Sequence, residues 1–481
     1  MGVAQRNGLR SCARLTRGHK ITIALLTILF VIYHSTPYDS RPRAFVRFQQ
    51  NNVEDYIQNN YPSDSWLLRP QQYPINPDRD IGVILKTGYG TRHRVNALLQ
   101  ALSNETFFSD TIVVQDFPVI EEIQKNYSLA NGKVVPAIDI IGWNLKRGAL
   151  NGTENLERIR KYKHLAAAVE AEEWMLSDGI GRNMGWELDA MKVGRPLATL
   201  QLSSRRSNNL QFLPSLEYAW LNMPKKKWYL VLDDDTYIIK PSLTLLLGHL
   251  NPAKPTFLGN PVGDYKGRFP HGGSSVIISG SAVSKLYDGH PDVVAEGHQE
   301  SPTATWGDKL LSTTFMKIGV YLDETYRRMF NGENPWMTRM WVDRFCLPVV
   351  SFHGLGEGDS MEQVGNTFKH MEAPVFWRQL ADIYGAYNFS SFHQDPVRAN
   401  MDFVGRLDEY STTFTDVNDM PQCIKLCGQH RNACLAWTFD PALRVCHIAP
   451  WAIIGDLAEG RFSGVNAPLA EWIANKCHTP S

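Results

Sequence analysis

The chain has 481 residues, more than one compact core usually serves, and its 49 Lys and Arg balance its 49 Asp and Glu. With no net charge and no basic cluster interleaved with stacking aromatics, a nucleic-acid-binding face is excluded as its main business. A hydrophobic fraction of 43%, with 11% of the chain aromatic, excludes a disordered protein and predicts one large folded domain with something smaller beside it.

In chain order, the first element is the apolar run Ile21–Tyr33, preceded by Arg6, Arg10, Arg14, Arg17 and Lys20. Basic flanks stay cytosolic, so the pattern predicts a cytosolic tail over 1–20, a transmembrane signal anchor over 21–35 and a single-pass type II chain facing a lumen. The run is shorter than the ~17–25 residues of a typical span. A cleaved signal peptide is therefore the alternative, but His34-Ser35-Thr36-Pro37 offers no small-residue cleavage site. Residues 36–78, rich in Pro, Gln, Asn and Tyr without helical or strand periodicity, read as a stem. Asn104, Asn126, Asn151 and Asn388 each begin an N-glycosylation tripeptide, which suits lumenal exposure.

A folded domain is expected over 79–400. Ile81–Leu85 has the composition of a buried strand, followed by the glycine-containing turn Lys86-Thr87-Gly88-Tyr89-Gly90-Thr91-Arg92. A helical pattern over Arg94–Leu102 and a second strand at Thr111–Val114 complete the opening of a βαβ fold, so the class is α/β. One long helix is predicted over Glu154–Met175 and another within 196–222. Next, Trp228-Tyr229-Leu230-Val231-Leu232 is a short apolar strand that runs directly into Asp233, Asp234 and Asp235. Three neighbouring carboxylates raise one another's pKa unless something positive neutralises them, and a hard divalent cation is the simplest candidate. The competing reading is a solvated acidic turn. Ligands of open α/β sheets bind beyond the carboxyl ends of strands, where both Lys86-Thr87-Gly88 and the three aspartates fall.

Five of the seven cysteines lie after residue 420, at Cys423, Cys427, Cys434, Cys446 and Cys477. Clustering of this kind predicts a small disulfide-stapled module over 410–481 in an oxidising compartment. Zinc is the alternative, although no His completes a site with a C-x2-C knuckle.

Taken in order, Ile81–Gly88, Trp228–Tyr237, His271-Gly272-Gly273-Ser274-Ser275 with the apolar strand that follows, Trp306-Gly307-Asp308 and Ser351-Phe352-His353 resemble the Fringe and core 1 β1,3-galactosyltransferase group, Golgi type II inverting enzymes of the GT-A fold. The resemblance spans roughly residues 80 to 395. It implies a UDP-sugar donor, a glycan or glycoprotein acceptor, a β1,3 linkage and manganese held by Asp235, with His353 completing the site and Asp233 supporting the ion or touching ribose. It further implies Asp308 as the base that deprotonates the acceptor hydroxyl; an N-cap is the alternative role for that residue. Lys86, Thr87, Arg92 and Asp234 would contact the donor, and Gly272 and Gly273 would let backbone lie against it. Relatives often carry Gly or Ala where this chain has Ser274-Ser275, and a second acidic residue where Gly307 stands. Cys423–Asp440 through Cys446 resembles a PAN/apple module, which implies Cys423 paired with Cys446 and Cys427 with Cys434, and a protein or carbohydrate ligand; Cys346 and Cys477 are left to pair or stay free. The rival function is a catalytically inactive binding protein acting through this module. A two-carboxylate hydrolase fits poorly, because adjacent aspartates on one turn cannot flank a glycosidic bond from both faces.

Overall fold

The computed structural model describes residues 17–60, 64–102, 109–121, 127–189, 212–430 and 434–478. The expected glycosylation positions Asn104 and Asn126 lie outside them; Asn151 and Asn388 are exposed.

The central sheet has six strands: β1 (Ile81–Thr87), β2 (Thr111–Gln115), β3 (Ala137–Asp139), β4 (Trp228–Asp233), β5 (Phe257–Gly259) and β6 (Val276–Ser279). They lie in the order β3-β2-β1-β4-β6-β5. β3, β2, β1 and β4 run parallel, whereas β6 is antiparallel to both β4 and β5. Alternate residues of the parallel strands enter different cores. Val83, Leu85, Val113, Leu230 and Leu232 face one apolar cluster, and Ile84, Val114, Tyr229 and Val231 face the other. Burial on both faces explains why these strands show as unbroken apolar runs. The arrangement is a mixed α/β fold compatible with a GT-A-like architecture.

Several helices depart from the sequence expectation. Residues 41–60, predicted as irregular stem, form a helix. Its sequence is mostly polar, so no apolar stripe announces it; tertiary contacts hold it instead. Asp55 accepts from both Arg327 and the buried Arg328, Asn51 Nδ2 donates to Glu324 Oε1 at 2.7 Å, and Arg328 Nε reaches Asp343 Oδ2 at 2.8 Å. Asp55→Ala should therefore lower stability by about 2 kcal/mol, measured as a fall in the denaturant midpoint. The long helix expected over 154–175 is divided into Glu157–Glu170 and Trp174–Asp189, with Glu172 at φ 56 between them. Of the segment 196–222, residues 212–222 are helical and the rest lies outside the described residues.

The apolar run expected to anchor the chain lies in helix Arg17–Ser35. No helix among the described residues is long and apolar enough to cross a membrane. Ile21–Tyr33 spans roughly 20 Å as a helix, short of a ~30 Å hydrocarbon core.

The C-terminal region forms a second sheet of β7 (Arg398–Asp402), β8 (Thr412–Phe414), β9 (Ala436–Asp440), β10 (Val445–Ala449) and β11 (Asp456–Val465), all antiparallel, in the order β7-β11-β9-β10-β8. The helix Met420–Gln429 is stapled to it by Cys423–Cys446 and Cys427–Cys434, the pairing implied by the resemblance, and Cys346–Cys477 ties the chain end to the main domain. The bonded sulfurs leave no place for the zinc alternative. This module also starts earlier than residue 410 and is not an appendage. Leu435, Ala449, Trp451 and Val465 belong to the same apolar cluster as β1 and β4, and Trp451–Ala452 pairs with Met340–Trp341.

Candidate active site

At the carboxyl ends of β1 and β4 lies a cavity of about 480 Å³. Strand register builds its floor: Lys86 and Asp233 are directly opposed in the parallel β1/β4 pair, and Lys86 Nζ lies 2.5 Å from Asp233 Oδ1. The same ammonium sits 3.3 Å from the ring centre of Phe212, a cation–π contact in a buried setting. Asp234 turns inward, where it accepts from Thr87 Oγ1 at 2.7 Å and has Arg94 Nη1 at 3.7 Å. Burial, followed by the neighbouring Asp235 charge, raises its carboxyl well above the usual range.

Asp235 meets His353 through the local chain path. Tyr237–Ile238 pairs antiparallel with Ser351–Phe352, so the residue after Phe352 is returned to the aspartate turn, and Leu355 N–H donates to the Asp235 carbonyl at 3.1 Å. His353 Nε2 then stands 3.2 Å from Asp235 Oδ1, while His353 Nδ1 is 3.2 Å from the Gly332 carbonyl oxygen. A carbonyl can only accept, so Nδ1 carries the proton in that contact, and in the neutral ring Nε2 presents a lone pair toward a carboxylate. With the ring neutral, these two groups could hold a cation between them. The partner on the far ring nitrogen is the arrangement that orients metal-binding histidines.

The loop after β5 closes the opposite wall. Thr236 Oγ1 donates to the Gly273 carbonyl at 2.7 Å and ties it to the aspartate turn. A Cβ on Gly273 would lie 2.2 Å from His353 Nε2, and one on Gly272 would lie 2.5 Å from Phe212 Cζ. Gly273→Ala should displace His353 and weaken divalent-metal binding by about 10–100-fold, read by titrating manganese against UDP. Ser274 serves as a clip: its Oγ lies 2.9 Å from His271 Nδ1 and 3.2 Å from Asn260 Nδ2, and its carbonyl accepts from Ser351 Oγ at 2.8 Å. Burial, and then His353, pushes the His271 imidazole down to about 4 and keeps it neutral. Ser275 sits at φ 73, ψ 146, a region otherwise left to glycine.

Asp308 lines the same cavity near the start of helix Gly307–Lys317, whose N-cap is Trp306 rather than Asp308. Its Oδ2 accepts the Gly272 N–H at 2.9 Å and its Oδ1 accepts the Lys309 N–H at 2.8 Å. Burial nonetheless pushes the carboxyl up to about 6, against the lowering effect of these two amides.

The structure thus brings Lys86, Thr87, Asp233, Asp234, Asp235, Gly272, Gly273, Asp308 and His353 to one cavity. Arg92 is not among them. Its guanidinium donates to the Tyr89 carbonyl at 2.6 Å and to Asp178 Oδ1 at 3.0 Å. Arg94 takes the place expected of it, 3.9 Å from Asp235 and packed so closely on Gly356 that a Cβ there would lie 2.4 Å from its Cζ. Among the described residues no three His, Cys, Asp or Glu side chains gather into a metal cage. Asp233, expected to support the ion, is engaged by Lys86. Asp235 and His353 are the two side chains that could hold a cation, which would then need other groups to complete its shell. Sequence reasoning missed Arg94, Glu333 and Arg406; an arginine in the first turn after β1 was the available signal for the first.

The family model described as Fringe-like matches residues 200–301, the segment that carries Asp233, Asp234, Asp235 and the Gly272-Gly273 turn. Asp308 and His353 lie beyond it. No curated protein matches the chain. The match covers about a fifth of the chain and shows a similarity to the Fringe-like family over that segment.

Proposed function

We propose that the chain is an inverting, divalent-metal-dependent transferase that moves a hexose or N-acetylhexosamine from a UDP-sugar to a hydroxyl of a glycan or glycoprotein, forming a β linkage, at a 3-hydroxyl by the resemblance above. The observation that carries this reading is that Asp235, paired with His353, and Asp308, held by the Gly272 N–H, line one cavity. Asp235 and His353 would hold manganese, which neutralises charge developing on a diphosphate leaving group. Arg94, near two of the aspartates, supplies a fixed cation on the same side. Asp308, raised toward neutrality by burial, takes the proton of the attacking hydroxyl. Gly272 N–H holds that carboxylate in orientation. One carboxylate suffices, because an inverting transfer forms no covalent sugar–enzyme intermediate. Three disulfides among the described residues suit a secretory-path location.

The test is UDP release by the purified full chain against a panel of UDP-sugars, with manganese or with chelator. Release with one sugar, abolished by chelation, is the expected result and names the donor. A chain that releases no UDP, and whose melting temperature does not rise with manganese and UDP, would instead be an inactive binding protein acting through its PAN-like module.

A further inference from the structure

The cavity wall farthest along the chain from the aspartates comes from the C-terminal module, through Arg406. The loop that carries it is pinned at both ends. On one side Phe403 N–H donates to Ser463 Oγ at 2.9 Å, and the Asp402 carboxylate accepts the Val404 and Gly405 N–H groups at 2.8 and 2.9 Å. The Trp451 indole N–H reaches the Val404 carbonyl at 2.8 Å. Gly405 holds φ 68, and a Cβ there would lie 2.8 Å from Ile453 Cδ1, so no other residue fits comfortably. On the other side Asp408 is paired with Arg339 of the main domain and accepts the Tyr410 N–H at 2.8 Å. Between these anchors Arg406 is 69% exposed, and its ion-pair partner Glu333 Oε1 stands 3.7 Å away, beyond hydrogen-bond length. Glu333 is itself fixed from the catalytic side, since its carbonyl accepts the His353 N–H at 3.2 Å.

We infer that the C-terminal module forms the acceptor wall of the cavity, and that the Arg406–Glu333 pair there positions a neutral carbohydrate acceptor; this rests on the transferase reading above. The charge pattern separates the two sides. Arg406 is balanced by a carboxylate, so the pair offers donors and acceptors to vicinal hydroxyls without the net positive field a diphosphate requires. Trp306, two residues before the proposed base, adds an aromatic surface in the same cavity, and its buried indole N–H has no partner among the described residues. An indole face suits a sugar ring.

The experiment uses the full chain with the UDP-sugar it hydrolyses and, as probes, methyl α- and β-glycosides of galactose, glucose, mannose, fucose, N-acetylglucosamine and N-acetylgalactosamine. At least one glycoside should accelerate UDP release. Arg406→Ala should raise the half-saturating concentration of that glycoside by about ten-fold, with the donor KM shifted much less and the melting temperature serving as fold control. Arg406→Lys should recover part of the loss. Lys425→Ala, on the exposed face of the module's helix, should move neither constant. A donor KM that rises as much as the glycoside's would assign Arg406 to the donor and overturn the inference, as would an unchanged glycoside constant or a wild type on which no glycoside acts. If the wild type releases no UDP from any sugar nucleotide, the transferase reading itself falls and takes this inference with it.

Discussion

Asp235→Asn should abolish metal-dependent UDP release, lowering it by at least about 10²–10³-fold, and should remove the rise in melting temperature given by manganese with UDP. Asp235 Oδ1 is the carboxylate oxygen that faces His353 Nε2, and the backbone carbonyl of the same residue is clamped by Leu355. An amide leaves this clamp intact while removing the charge that a hard cation needs. Asp233→Asn provides the contrast. Its carboxylate faces the buried Lys86, so the substitution should cost about 3 kcal/mol of stability by stranding that ammonium. Activity lost equally in both variants, with no stability change in the second, would show that Asp233 rather than Lys86's counter-charge role dominates at the metal.

Asp308→Asn should lower transfer by about 10²–10⁴-fold while leaving UDP affinity within a few-fold of the wild type. The wild-type pH profile should carry the signature of the same group. A base works only when ionised, so with its carboxyl pushed up to about 6 the rate should rise with pH through that value and level off above it. Below it the rate should fall about ten-fold per pH unit. The effect on folding has the opposite sign. Burial favours the protonated form in the folded chain, so the ionised carboxylate costs stability above about pH 6, and that cost is relieved as pH falls through it. A profile flat from pH 5 to 8, or one preserved in Asp308→Asn, would remove Asp308 from the role of base.

What was legible in the sequence follows from where its signals are local. β1, the helix Arg94–Leu102 and β4 declare themselves because they are apolar on both sides or amphipathic at the helical period. Arg92 and Arg94 could not be told apart, being two residues apart in a turn that enters a helix; rotation of about 200° between them sends one to Asp178 and the other to Asp234. The Arg41–Asn60 helix was invisible because its stability resides in partners some 270 positions away, such as Glu324 for Asn51. Arg406 and Glu333 were invisible for the same reason: a cavity wall assembled from two distant segments has no one-dimensional pattern.

The sharing of one core by the main domain and the C-terminal module has a consequence for biosynthesis. Met340 and Trp341 wait for Trp451 and Ala452, Cys346 waits for Cys477, and His478 N–H donates to Asp64 Oδ2 across 414 positions. At a synthesis rate of about 5–20 residues per second, the nascent chain carries an unfinished apolar surface for roughly 10 to 45 seconds after its aspartate turn has emerged. The module that carries Arg406 can pack against the main domain only after the segment with Trp451 and Ala452 has left the ribosome. Products truncated before this segment should therefore be retained as chaperone clients.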